Sequence, residues 1–121
     1  MTTFNLTTEI NQALRQLHRK WPSKKEAMNE AIHPTEKGPR GGNMFICAQC
    51  GLCFNAKDIQ MDHIQPVVPV HETIHTMKWN HVIERLFSPK EAYQCLCKPC
   101  HQVKCNAERL ERMEYRAVKS Y

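Results

Sequence analysis

Cys97-Lys98-Pro99-Cys100-His101-Gln102-Val103-Lys104 and an upstream counterpart, Cys47-Ala48-Gln49-Cys50-Gly51, decide how this chain is read. Each begins with a C-x-x-C pair. Two such hairpin knuckles supply the four sulfurs of a tetrahedral zinc shell, with bonds of about 2.3 Å. Gly51 permits the tight backbone turn that closes a knuckle after its second sulfur. Residues 51–96 lie between the pairs, more than a simple zinc ribbon carries, so a sizeable unit is mounted between the knuckles. Cys50 and Cys53 share the same spacing and form an alternative first pair. Cys47 is preferred because Gly51 then directly follows the second ligand. Cys53, Cys95 and Cys105 read as packing residues. Buried reduced thiols or a redox-active pair are the competing interpretation of the whole set.

The composition fits a metal-stabilised domain. A chain of 121 residues with 41% hydrophobic and 7% aromatic residues supports one domain with a limited core. Its seven cysteines are odd in number and tightly grouped. No early apolar stretch resembles a secretory signal, which favours an intracellular metal site, and a cytoplasmic location, over a disulfide framework. No apolar run approaches the roughly 18 residues of a membrane span. The formal charge is +5; four zinc thiolates would bring it to roughly +3. That balance suits a polyanionic partner without requiring one.

Outward from the knuckles, Ile10, Leu14 and Leu17 recur at helical spacing between Thr8 and Lys20, and Trp21-Pro22 ends the run. Ser23, with Glu26 three residues on, reads as the capping box of a second helix reaching His33. The Gly- and Pro-containing stretch from Pro34 to Asn43 reads as a loop or linker. Met44-Phe45-Ile46 and the alternating stretch Asp58 to Ile64 read as strands, and Pro66 to Lys78 as irregular. A helix is expected from Trp79 to Phe87, with Val82, Ile83 and Leu86 on one face. The last helix should carry Pro99 in its first turn and run to about Lys119, with Val103, Ala107, Leu110 and Ala117 inward.

Inside the gap lies Met61-Asp62-His63-Ile64, and the second knuckle runs directly into His101. A shared zinc would bring the strand bearing Asp62 and His63 near the helix bearing His101. Phosphodiester hydrolysis needs a base for water and a Lewis acid for the phosphate, and one His beside an Asp/His metal pair meets that minimum.

Asp62-His63, the paired C-x-x-C, His101 and Lys104 together resemble the HNH endonuclease family. The stretch Trp79 to Phe87 (WNHVIERLF), the segment Gln94 to Lys104 and the basic N-terminal helices look like its small phage-encoded members. The resemblance covers most of the chain, and Cys47 to Lys104 is its specific part. It implies an α+β fold: a small zinc-stabilised ββα-metal (HNH/His-Me finger) core with N-terminal helices and a long C-terminal helix. Residues 1–40 would form the basic helical segment and 41–121 the nuclease domain. By position, His63 would be the general base. Asp62 and His101 would hold one catalytic Mg²⁺ or Mn²⁺, Lys104 would contact a phosphate, and Cys47, Cys50, Cys97 and Cys100 would hold structural Zn²⁺. The implied activity is cleavage of DNA, double-stranded and with little sequence preference, to 5′-phosphate and 3′-hydroxyl ends. It would act in a host-cell cytoplasm, with a phage protein as a further possible partner. The family's middle Asn falls on Ala92, which cannot form the side-chain bonds that steady the base; Glu91 or Gln94 are candidate substitutes. The alternative is therefore a weak or inactive zinc module that binds DNA or protein.

His71-Glu72-Thr73-Ile74-His75 matches the zinc-protease pattern, but it lies in an expected loop and lacks a third ligand. Arg109, Arg112 and Arg116, interleaved with Glu108, Glu111 and Glu114, read at least as well as a solvated helix face laced by i,i+4 pairs as they do as a DNA contact. Arg15, His18, Arg19, Lys20, Lys24 and Lys25 form a more purely basic patch suited to phosphates.

Overall fold

The computed structural model describes residues 3–119; positions 1–2 and 120–121, the ends of the two expected segments, lie outside the described residues. Asn5 opens helix α1 (Leu6–His18) by accepting the Thr8 N–H at 3.1 Å. Helix α2 (Pro22–Glu30) does not start at Ser23 with a capping box. Trp21 is its N-cap and Pro22 takes the first position, with no side-chain cap bond. Proline fits there because its φ is already helical and the missing N–H would be unpaired anyway.

The expected loop from Pro34 is a strand in its first part. Strand β1 (Ile32–Lys37) pairs antiparallel with β2 (Asn43–Ile46), which pairs with β3 (Cys53–Asn55). Pro34 is tolerated because β1 lies at the sheet edge. The β1–β2 register is irregular between Ile32 and Lys37. There His33 Nδ1 accepts the N–H groups of Thr35 (3.1 Å) and Glu36 (2.9 Å). The expected division at 40/41 thus falls inside a hairpin, and β1 belongs with the sheet of the core.

The second sheet pairs β4 (Ile59–His63) with β5 (Tyr93–Cys97), setting Asp62 opposite Gln94 and His63 opposite Tyr93. Helix α3 (Trp79–Leu86) lies between these strands in sequence, and α4 (Lys98–Lys119) follows β5 directly. The architecture is mixed α+β, with four α-helices and two small sheets among the described residues. None of these helices is long and apolar enough to cross a membrane.

Three small apolar clusters replace one large core. Phe45, Ile59 and Cys95 form the first, Cys47, Leu96 and Cys97 the second, and Val67, Val82 and Leu86 the third. Val82 and Leu86 are fully buried as expected of α3, whereas Ile83 is exposed. Helix α4 is turned the other way from its expected orientation. Val103 (69%) and Leu110 (53%) are exposed, as are Ala107 and Ala117. Its covered side is polar: His101, Lys104, Glu108, Arg112 and Tyr115 are half-buried. This helix packs on charged groups and loop carbonyls, so its apolar period does not mark the inward face.

Candidate functional site

The knuckles meet as the spacing requires. Cys47 directly follows β2, and Gly51 adopts φ +76°, the left-handed conformation that a glycine accepts without strain. The Cys50 N–H points at Cys47 Sγ (3.5 Å), and the Ala48 N–H donates to the Cys95 carbonyl (2.8 Å), tying this knuckle to β5. The sulfurs of Cys47, Cys50, Cys97 and Cys100 all lie within 4.8 Å of one another. A tetrahedron with bonds of about 2.3 Å has edges of about 3.8 Å, and Cys50 Sγ is 3.9 Å from Cys97 Sγ. Burial opposes ionisation of Cys47, but the N–H groups of Cys50, Cys97 and Gln49 outweigh it and bring the thiol down to about 6. Cys100 is pushed up to about 12, first by hydrogen bonding with Cys97 and then by burial. These four cysteines could hold a metal ion such as zinc. Cys53 is not among them, and Cys95 is buried in the first apolar cluster, whereas Cys105 is exposed beside His101, its sulfur 3.6 Å from Nε2.

Asp62 and His63 are neighbours on β4 and so project to opposite faces of the hairpin. Asp62 turns toward α4. Its Oδ2 accepts from Gln94 Nε2 (3.1 Å) and from Lys104 Nζ (2.8 Å), while its Oδ1 lies 3.6 Å from His101 Nε2. Gln94 therefore holds Asp62, not His63. Lys104 also reaches Glu108 (2.8 Å) and the His63 carbonyl (3.0 Å). Burial alone would lower its pKa, but the two carboxylates outweigh that and raise it. Lys104 is a strut within the site, at the position where the sequence resemblance implies a phosphate contact.

His63 turns toward α1 and α3. Its Nε2 lies 2.9 Å from the Leu86 carbonyl, an acceptor only, so Nε2 carries the proton and Nδ1 keeps its lone pair. Burial lowers the His63 pKa against the opposing pull of that carbonyl. The Tyr93 hydroxyl donates to the same carbonyl at 3.0 Å. With its proton so committed, the Tyr93 oxygen accepts from His18 Nε2 at 2.8 Å. The His18 ring stacks on His63 with centroids 5.2 Å apart. His18 is buried and its pKa falls to about 4, first from burial and then from His63, Lys24 and Arg15. It is a neutral interior group and does not belong to the basic patch in which the sequence placed it. Ala92 contributes only its backbone, accepting the Ile64 N–H at 2.9 Å.

Arg15, Asp62, His63, Pro66, Val67, Val68, Lys104, Glu108 and Arg112 surround a cleft of about 330 Å³. Arg112 leaves the solvated face expected of it and donates to the Val68 (2.6 Å) and Pro69 (3.2 Å) carbonyls. Arg85 does the same for Val67 (2.9 Å) and Pro66 (2.5 Å). Arg15 is an exposed cation of α1 at the cleft rim, and Arg19, Lys20 and Lys25 are exposed farther along. His71 to His75 lie in an irregular loop without the shared helix face of a zinc protease, and the His71 ring packs on Tyr115. His18, Tyr93 and the Leu86 carbonyl escaped the sequence reading: His18 was placed in a basic patch, Tyr93 belongs to no motif, and the third is a backbone atom.

No family model matches the chain, and neither a curated protein nor a solved structure shows significant similarity to it.

Proposed function

We propose that this chain is a divalent-metal-dependent HNH-type endonuclease that hydrolyses DNA and carries a structural zinc on Cys47, Cys50, Cys97 and Cys100. The observation that carries the reading is that Asp62 and His63 both line one cleft, His63 with an Nδ1 lone pair to offer and Asp62 with its Oδ1 3.6 Å from His101 Nε2. The order β4, β5, α4 supports it, since it is the strand-strand-helix order that the sequence resemblance implies.

Asp62 and His101 would hold a Mg²⁺ or Mn²⁺ ion. Their 3.6 Å separation suits two ligands of one ion, because two bonds of about 2.1 Å span up to about 4.2 Å. When bound, such an ion supplies Lewis-acid stabilisation of the phosphate and the leaving oxygen. His63 Nδ1 takes one proton of a water whose oxygen bonds to phosphorus as the bond from phosphorus to the 3′ oxygen breaks; the released 3′ oxygen takes a proton from solvent water, and the products are a 5′-phosphate and a 3′-hydroxyl. Lys104 and Gln94 fix the far oxygen of Asp62. Arg15 offers a cation to the DNA backbone at the cleft rim.

Supercoiled plasmid incubated with Mg²⁺, Mn²⁺ or EDTA tests this reading. Cleavage should require the divalent ion and be lost in His63→Ala and in His101→Ala. Equal cleavage by His63→Ala would sink the assignment. Ala92 favours a second reading, a zinc module that binds DNA or protein without cutting it; metal-independent DNA retention with no nicking is its signature.

A further inference from the structure

The proposed base needs to be held, because the terminal torsion of a histidine is broad and its ring flips between two orientations with little preference of its own. The side chain at position 92 is a methyl group and holds nothing. Yet the ring is engaged on several sides: Leu86 O at Nε2, the Tyr93 ring with centroid at 4.6 Å, and the His18 ring at 5.2 Å. The bonds run in one direction. His18 donates to Tyr93, Tyr93 donates to Leu86 O, and Leu86 O also receives the His63 proton. This carbonyl lies at the C-terminal end of α3, where helix carbonyls lack intrahelical partners.

We infer that His18 and Tyr93 are positioning residues for His63, fixing its ring in the Nε2–H tautomer with Nδ1 free to take a proton. His18 and Tyr93 stand 75 positions apart, so helix α1 supplies part of the support for a residue in the β4–β5 hairpin. His18 is a buried interior group whose Nε2–H is the donor that reaches Tyr93. Burial and the neighbouring His63, Lys24 and Arg15 all favour the neutral form. The consequence for rate rests on the nuclease reading, whereas the fixed tautomer does not.

Long-range nitrogen–proton correlation spectra of ¹⁵N-labelled full-length protein report the tautomer of each imidazole. Wild type should show His63 as a single Nε2–H form. Tyr93→Phe and His18→Leu should keep their zinc and backbone spectra while the His63 nitrogens become averaged. In both, kcat for plasmid cleavage should fall about ten- to a hundredfold at unchanged KM, the effect of a slightly misplaced group. His18→Gln keeps a donor for Tyr93 and should retain the fixed tautomer; it also serves if a bulkier change unfolds the chain. A His63 tautomer unchanged in Tyr93→Phe and His18→Leu, or averaged in His18→Gln, overturns the inference. Wild type that fails to cut plasmid removes the nuclease reading alone, since the nitrogen spectra still decide whether the ring is held.

Discussion

Lys104 Nζ stands 2.8 Å from Asp62 Oδ2 and 2.8 Å from Glu108, with the His63 carbonyl as a third acceptor at 3.0 Å. An ammonium has three protons, and here each has a protein partner. Lys104 thus ties β4 to α4 and neutralises one side of the carboxylate whose other oxygen faces His101.

Replacing Lys104 with Met should separate these two effects. Unfolding by urea should show a loss of about 1–2 kcal/mol, since the partly buried Asp62 and Glu108 are left near each other without their shared cation. Mn²⁺ affinity should rise, because the positive charge nearest Asp62 is gone. Weaker Mn²⁺ binding in a folded Lys104→Met would mean that the strut, and not the charge, governs the site.

Stability should fall in mild acid. His18 titrates near 4 in the fold against an ordinary 6.5, and His63 is lowered in the same direction. Above pH 6.5 the fold and the unfolded chain are both neutral there, and the stabilisation is complete. Between about pH 6.5 and 4 the unfolded chain binds protons that the fold refuses, so stability is lost as pH falls. It levels off below that window. After allowance for solvent screening, His18 should account for about 1–2 kcal/mol of the loss. Urea midpoints measured from pH 7 to 4.5 check this, and His18→Gln should flatten the slope.

Metal removal should be more severe. Structural zinc contributes about 10–16 kcal/mol in small zinc domains, as much as the 5–15 kcal/mol that typically holds a whole domain folded. The protein should contain one zinc per chain by atomic emission, and Cys97→Ser should lose it. Stripping the metal with a strong chelator should collapse the helical circular dichroism. A stripped chain with an unchanged spectrum would remove the tetrad from the list of what holds the fold.

The tetrad was legible because two matched C-x-x-C pairs form a local pattern suited to a four-sulfur shell, and the Gly51 turn supported the choice of Cys47 over Cys53. Strand β4 was legible from its alternation, and α3 from Val82 and Leu86. Strand β1 was not, since Pro34 and its charged neighbours carry the marks of a loop and only the edge position makes them compatible with a sheet. The orientation of α4 was misread because its apolar residues keep helical spacing on the exposed side while the covered side meets ions and carbonyls. Asp62, His63 and His101 could be named as candidates from sequence, but the role of Lys104 depends on acceptors from two elements, Asp62 and His63 of β4 and Glu108 of α4. The surroundings of His63 depend on a backbone oxygen and on rings far apart in the chain.

Arg15→Ala should weaken DNA binding without altering stability measurably. A cation that contacts one phosphate shifts the salt dependence of binding, so the slope of log affinity against log salt should shrink by about one. Filter binding between low and moderate salt measures it. An unchanged slope would place the DNA elsewhere than the rim formed by α1.

Arg85 and Arg112 between them occupy the carbonyls of four successive residues, Pro66, Val67, Val68 and Pro69. Three of those residues also form part of the cleft wall. An ordinary loop there would present a row of oxygen lone pairs to whatever enters. Here the four carbonyls are engaged by two guanidinium groups, which bring positive charge up to the loop. A polyanion approaching the cleft would therefore meet loop carbonyls already engaged by cations, with Asp62 and Glu108 as the anionic lining groups.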